Sequence, residues 1–250
     1  MVVAGPAAHA WADASVRFVH AVPGAGSAEL VVKGGTKIGS GVGFGQVTPY
    51  VGVSAGSHEL SLQSGTKALA VTNVDLTDGK RYTVVAMSQG KKVQLRPYTD
   101  GDATNGKARL RLVHAAPELG SPDVRLDGQA LAEKSTYTEA TPYVTVSPGT
   151  HTLAVTKPGN GGGQPIASKQ VALGAGSAST ALLIGTMGEP TRIVLASDHT
   201  VAPSRAPRTG LAPLDGGGRP WGAIVAIAML AGLLGGALYL FAGRRRTRAG

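Results

Sequence analysis

The sequence predicts an all-β protein: two tandem immunoglobulin-like β-sandwich domains followed by one C-terminal transmembrane helix. Three observations carry this. Gly and Pro make up 52 of the 250 residues, a proportion that suits turn-rich β structure and disfavours helix-rich classes. An internal repeat of about 90 residues alternates apolar and polar positions with a period of two. A run of 22 uncharged residues, Trp221–Ala242, stands near the C-terminus.

The chain begins with 1–14, MVVAGPAAHAWADA, which has no basic start and only a short, weakly apolar stretch. Its small residues, Ala8-His9-Ala10 and Ala12-Asp13-Ala14, are spaced like a signal-peptide cleavage region. The expectation is the remnant of a longer signal peptide, with a disordered tail as the alternative.

Two copies of one unit follow. Residues 16–34, VRFVHAVPGAGSAELVVKG, align with 110–128, LRLVHAAPELGSPDVRLDG, with eight of nineteen positions identical. Farther on, TPYVGVSAGSHELSL (48–62) aligns with TPYVTVSPGTHTLAV (141–155). The ends of the copies, YTVVAMSQGKKVQLRPYTD and TALLIGTMGEPTRIVLASD, align loosely. In the opening strands Val16, Phe18 and His20 share one face, as do Leu110, Leu112 and His114. Turn signals such as Pro23-Gly24, Asp78-Gly79, Asp127-Gly128 and Pro148-Gly149 recur at short intervals, predicting about seven short strands per copy. The expected domains are 15–100 and 108–198, joined by a polar turn at 101–107.

The paired R-[FL]-V-H-A-x-P openings and paired T-P-Y-V blocks resemble a bacterial domain-of-unknown-function family, number 4397, over residues 15–198. The resemblance implies an extracellular β-domain, often in tandem and common in exported actinobacterial proteins. It implies no known activity and transfers no catalytic residue.

Residues 199–220, HTVAPSRAPRTGLAPLDGGGRP, read as a Pro/Gly-rich stalk. Within it Ala206-Pro207-Arg208-Thr209-Gly210 resembles the Leu-Pro-x-Thr-Gly signal of sortases, with Ala in place of Leu. Cleavage between Thr209 and Gly210 would transfer the chain to the cell wall. The run 221–242 would be about 33 Å long as a helix, enough to cross a bilayer core. Trp221 and Tyr239 lie near its ends, and Arg244, Arg245 and Arg246 follow within a basic tail, 243–250. The expectation is a single-pass cell-membrane protein with its C-terminus inside and its β-domains outside. Ala228, Gly232 and Gly236 give the span a smooth face that could pair in a dimer.

The net charge of +9 does not mark a nucleic-acid binder. Four of these charges belong to the tail and a net two to the stalk; residues 15–200 carry +4 with no basic stripe, and Asp13 subtracts one. With no cysteine there is no disulfide, thiolate metal site or Cys nucleophile. No G-x-S-x-G elbow or phosphate loop occurs, and no catalytic residue or cofactor is expected. The segment Asp100–Gly106 fails the EF-hand pattern, with Thr104, Asn105 and Arg111 at its key positions.

Four histidines form repeat-equivalent pairs, His20 with His114 and His58 with His151. The favoured reading is structural: a half-buried imidazole hydrogen-bonding the neighbouring Pro turn. The alternative is a metal site or cryptic extracellular enzyme built on these four residues with a carboxylate such as Glu29 or Asp123. The functional expectation is a membrane-anchored, non-enzymatic surface protein for adhesion, ligand binding or envelope organisation, its envelope or protein ligand unidentified.

Overall fold

The structure, a computed structural model, describes residues 13–159, 163–186 and 189–200. They form sixteen strands, eight in each copy of the repeat. In the first copy these are β1 (Ala14–Ala21), β2 (Ala28–Val32), β3 (Lys37–Val42), β4 (Val51–Val53), β5 (Gly56–Ser64), β6 (Lys67–Leu76), β7 (Arg81–Gln89) and β8 (Lys92–Thr99). In the second they are β9 (Ala108–His114), β10 (Asp123–Leu126), β11 (Gln129–Ala132), β12 (Val144–Val146), β13 (Gly149–Thr156), β14 (Ala167–Leu173), β15 (Ser177–Thr186) and β16 (Glu189–Thr200). The count exceeds the expected seven because the T-P-Y-V block of each copy adds a three-residue strand, β4 or β12, at the margin of a sheet.

Each copy is a sandwich of two four-stranded sheets, ordered β4-β1-β7-β8 over β3-β2-β5-β6, and β12-β9-β15-β16 over β11-β10-β13-β14. Most neighbours run antiparallel. The exceptions are β1 with β7 (Val16 opposite Tyr82) and β9 with β15 (Leu110 opposite Ser179), which pair in parallel. The apolar alternation accounts for the two sandwich cores. Val16, Phe18, Leu30, Leu60, Leu62 and Val84 fill the first; Leu110, Leu112, Val124, Leu153, Val155 and Leu183 fill the second.

The other face of β1 and β9 is buried as well. Val19, Ala21, Val85 and Met87 of the first copy meet Val113, Ala115, Leu182, Ile184 and Ala196 of the second in a third core. The β4-β1-β7-β8 and β12-β9-β15-β16 sheets are therefore covered on both sides, which explains the continuous apolar runs at 82–87 and 180–184. The layers stack as two outer sheets flanking two inner ones.

Among the described residues no helix is long and apolar enough to cross a membrane. Their one helical segment is the three-residue 3₁₀ turn Pro117–Leu119, about 6 Å long against a bilayer core of roughly 30 Å. The expected transmembrane helix is corrected accordingly: the fold class is all-β with two tandem sheet-rich domains. Membrane anchoring, the membrane as a partner and single-pass placement in the cell membrane are withdrawn with it. The anchor residues Trp221, Tyr239, Arg244, Arg245 and Arg246 lie outside the described residues, as do the pairing face Ala228–Gly236, residues 1–12 of the signal-peptide remnant expected at 1–14, and the sortase-like Thr209 and Gly210.

Candidate functional site

The largest concentration of buried polar side chains lies between the two domains. Arg17 stands in the middle of the largely apolar β1, and its repeat equivalent Arg111 stands in β9; both are almost fully buried. Alternation forces this placement, since Val16 and Phe18 face the core of their own sandwich and so Arg17 must face the other domain.

The two arginines close a ring. Arg17 donates from Nε to Thr83 Oγ1 at 2.9 Å, and Thr83 donates to the Asp100 carboxylate at 2.8 Å. Asp100 accepts from Arg111 Nη2 of the second domain at 2.6 Å. Arg111 Nε donates to Thr180 Oγ1 at 2.9 Å, and Thr180 donates to Asp198 Oδ2 at 2.7 Å. Asp198 accepts from Arg17 Nη2, which completes the circuit. The remaining guanidinium donors are also used: Arg17 Nη1 bonds the Ser197 carbonyl and Arg111 Nη1 the Thr99 carbonyl.

A tyrosine from each T-P-Y block caps the ring. Tyr50 donates to Asp100 and Tyr143 to Asp198, each at 2.6 Å. Arg17 stacks over the Tyr50 ring at 4.7 Å and Arg111 over the Tyr143 ring at 4.8 Å. Burial drives both phenols above their ordinary pKa, so they remain hydrogen-bond donors. Burial, helped by the nearby Asp198 carboxylate, also raises the Asp100 pKa above the usual carboxylate range, against Tyr50, Arg17 and Arg111, which lower it. A raised carboxyl pKa gives stability at low pH that is lost as pH rises through it.

The rim of the interface repeats the exchange. Phe44 of the first domain lies under Arg192 of β16, with 5.5 Å from guanidinium carbon to ring centre. Its repeat equivalent Tyr137 donates to the Ser88 carbonyl of β7. Tyr98 reaches across to the Thr138 carbonyl at 2.6 Å, and burial pushes its phenol up to about 12.

The predicted histidines separate into two kinds. His20 and His114 are fully buried. Their Nε2–H groups donate to the Gly26 and Gly120 carbonyls, each at 2.9 Å, and their Nδ1 atoms accept from Val22 N–H and Ala116 N–H. Each ring thus ties down the Ala-x-Pro turn after it, and burial holds its pKa below the ordinary imidazole value. His58 and His151 cap the β4–β5 and β12–β13 turns through the Ser54 and Ser147 carbonyls at 2.8 Å. His151 also pairs with Asp127 at 2.6 Å, which raises its pKa. Among the described residues no three His, Cys, Asp or Glu side chains come together as metal ligands. Glu29 and Asp123 bond to their own sheets and loops, not to these histidines.

The polar turn expected at 101–107 follows directly on a tightly held residue. Asp100 is 7% exposed, and the next residue, Gly101, gives its N–H to Tyr143 Oη at 2.9 Å. A Cβ at Gly101 would lie 2.7 Å from the Tyr143 ring, so glycine is required there by close approach. Sequence reasoning passed over Arg17, Arg111, Asp100, Asp198, Tyr50 and Tyr143 as site residues. The signal was an arginine repeated inside an apolar strand, together with an aspartate closing each copy.

A family described as "Domain of unknown function (DUF4397)" matches residues 14–125 and 108–208. The chain belongs to this family, with two tandem copies. The match carries neither the actinobacterial origin nor the membrane anchoring expected earlier. No curated protein matches the chain. A crystal structure of a candidate cell adhesion protein from Bacteroides fragilis is similar at 12% identity, covering 72% of this chain and 86% of that one, with a TM-score of 0.23. At that score the likeness carries no argument about fold or role.

Proposed function

We propose that the chain is an extracellular, non-catalytic binding module in which two DUF4397 sandwiches are clamped into one rigid body. Ligand would meet the outer sheets, β3-β2-β5-β6 and β11-β10-β13-β14, and the loops that differ between the copies. The observation that carries this reading is the closed Arg17–Thr83–Asp100–Arg111–Thr180–Asp198 ring. The repeated charged side chains are engaged in holding the domains together, whereas catalysis needs charged groups free to meet substrate. The sequence holds no motif for a nucleophile or a phosphate site, consistent with a non-enzymatic role. The small-residue spacing at 8–14 supports export.

The test is binding of the chain, and of an R17A/R111A variant with the clamp removed, to an array of cell-envelope polysaccharides and peptides. A binder with two fixed surfaces retains one class of ligand and loses apparent affinity on unclamping, because effective concentration depends on geometry. Turnover of ester, peptide or glycoside substrates by the purified chain, abolished by a point substitution, overturns the reading.

A further inference from the structure

We propose that the inter-domain face also joins two copies of this chain, in an exchanged dimer where β1–β8 of each copy docks on β9–β16 of the other. This goes beyond the binding role above and does not depend on it.

The face has approximate two-fold symmetry relating the two repeats. The arginine of each domain reaches the aspartate of the other, through equivalent strands and in both directions. Each tyrosine caps the aspartate of its own domain, and Phe44 and Tyr137 make reciprocal contacts across the rim. Every one of these contacts joins the first domain to the second, so the second domain of another chain would supply the same partners as the second domain of its own. The buried ring and the third apolar core would be reproduced bond for bond in the exchanged form.

What favours the closed monomer is therefore confined to the covalent path. That path is short: Asp100 belongs to the ring, β9 starts at Ala108, and only residues 101–107 lie between them. It folds back through one tight turn, in which Lys107 N–H bonds the Thr104 carbonyl and Gly106 sits at φ +71°. Positive φ at Gly106 but not at Asn105 is the pattern of a type II turn, which requires glycine at that third position. Proline is locked near φ −65° and cannot occupy Gly106 in this turn. Opening the turn straightens the path, and the two faces then find each other between chains in proportion to concentration.

The experiment is size-exclusion chromatography with light scattering on the full chain, refolded from denaturant over a range of protein concentrations. For the wild-type chain, the proposal expects a dimer fraction that rises with refolding concentration. In G106P the dimer-to-monomer ratio should rise by about tenfold or more, with an intermediate rise in G106A, whose methyl tolerates the turn less badly. Adding R17E and R111E to G106P should return the wild-type ratio or lower, because two of the four ring charges are reversed. A G106P chain that stays monomeric at every concentration overturns the proposal, as does a dimer that survives R17E/R111E. Should G106P not refold, a wild-type dimer fraction independent of concentration overturns it equally.

Discussion

Glu29 and Asp123 hold equivalent places in the two copies and have different duties. Glu29 is on the surface of the first domain, where it accepts from Lys37 Nζ at 3.1 Å and Ser40 Oγ at 2.6 Å. Asp123 is 7% exposed and ties two separate loops, accepting Lys134 N–H at 2.7 Å and Gly159 N–H at 2.8 Å. Lys33 and Asp127 are likewise equivalent, yet Lys33 pairs with Glu59 at the surface and Asp127 pairs with His151. At the inter-domain face, by contrast, Arg17 and Arg111, Thr83 and Thr180, Tyr50 and Tyr143, and Asp100 and Asp198 do the same work in both copies. The copies agree throughout the ring they share, whereas these two pairs of equivalent residues have taken different partners. Pairing constrains both surfaces at once, whereas a loop answers only to its own ligand or to water.

Breaking the agreement at the shared face should have the largest effect. Arg17→Ala or Arg111→Ala leaves a buried aspartate without its cation and should cost about 3–5 kcal/mol in a denaturant titration. Because the two belong to one ring, the double variant should lose less than the two single losses combined. Unequal single losses would mean that the two-fold likeness of the ring is geometric only.

The unlike pair comes next. Asp123→Ala should cost about 1–3 kcal/mol, since it leaves two loop N–H groups unmet, while Glu29→Ala should leave the denaturation midpoint almost unmoved. Equal losses would erase the distinction between the copies drawn here.

The buried histidines set a shared acid response. Their folded pKa values lie below the ordinary imidazole value, so their stabilisation is complete above about pH 6.5 and declines as pH falls toward the folded pKa. Protonation removes the Nδ1 acceptor from Val22 N–H and Ala116 N–H. Urea midpoints should therefore fall between pH 7.5 and pH 5.5, and H20Q and H114Q should each flatten part of that slope.

The smallest effect belongs to the second domain alone. Asp127 raises the pKa of His151, a pairing that stabilises below the ordinary imidazole value and is lost as pH rises through the raised one. In an NMR titration D127N should move the His151 midpoint downward.

Much of the fold was legible because period-two patterning is a local property. Val16, Phe18, Leu60 and Leu62 report the face they bury by alternation alone, and the repeat doubles the evidence. The His20 and His114 ties were also readable, because the Pro turn they bond lies within six residues. The ring was not. Arg17 and Asp198 are 181 residues apart, and nothing in either neighbourhood names the other. The apolar character of Val19, Val85 and Leu182 is equally compatible with a sheet that faces solvent on one side and one covered on both.

By itself the sequence determined the class, the two copies and the inward face of each strand, because backbone pleat and hydrophobic burial act over a few residues. Only the tertiary structure decided that Asp100, the last residue of the first domain, is part of a buried lock between the domains. It alone decided that the repeated arginines cross between domains and that each T-P-Y tyrosine caps the aspartate of its own domain. Those contacts depend on how two finished sandwiches meet, and a charged side chain carries no local record of its distant partner.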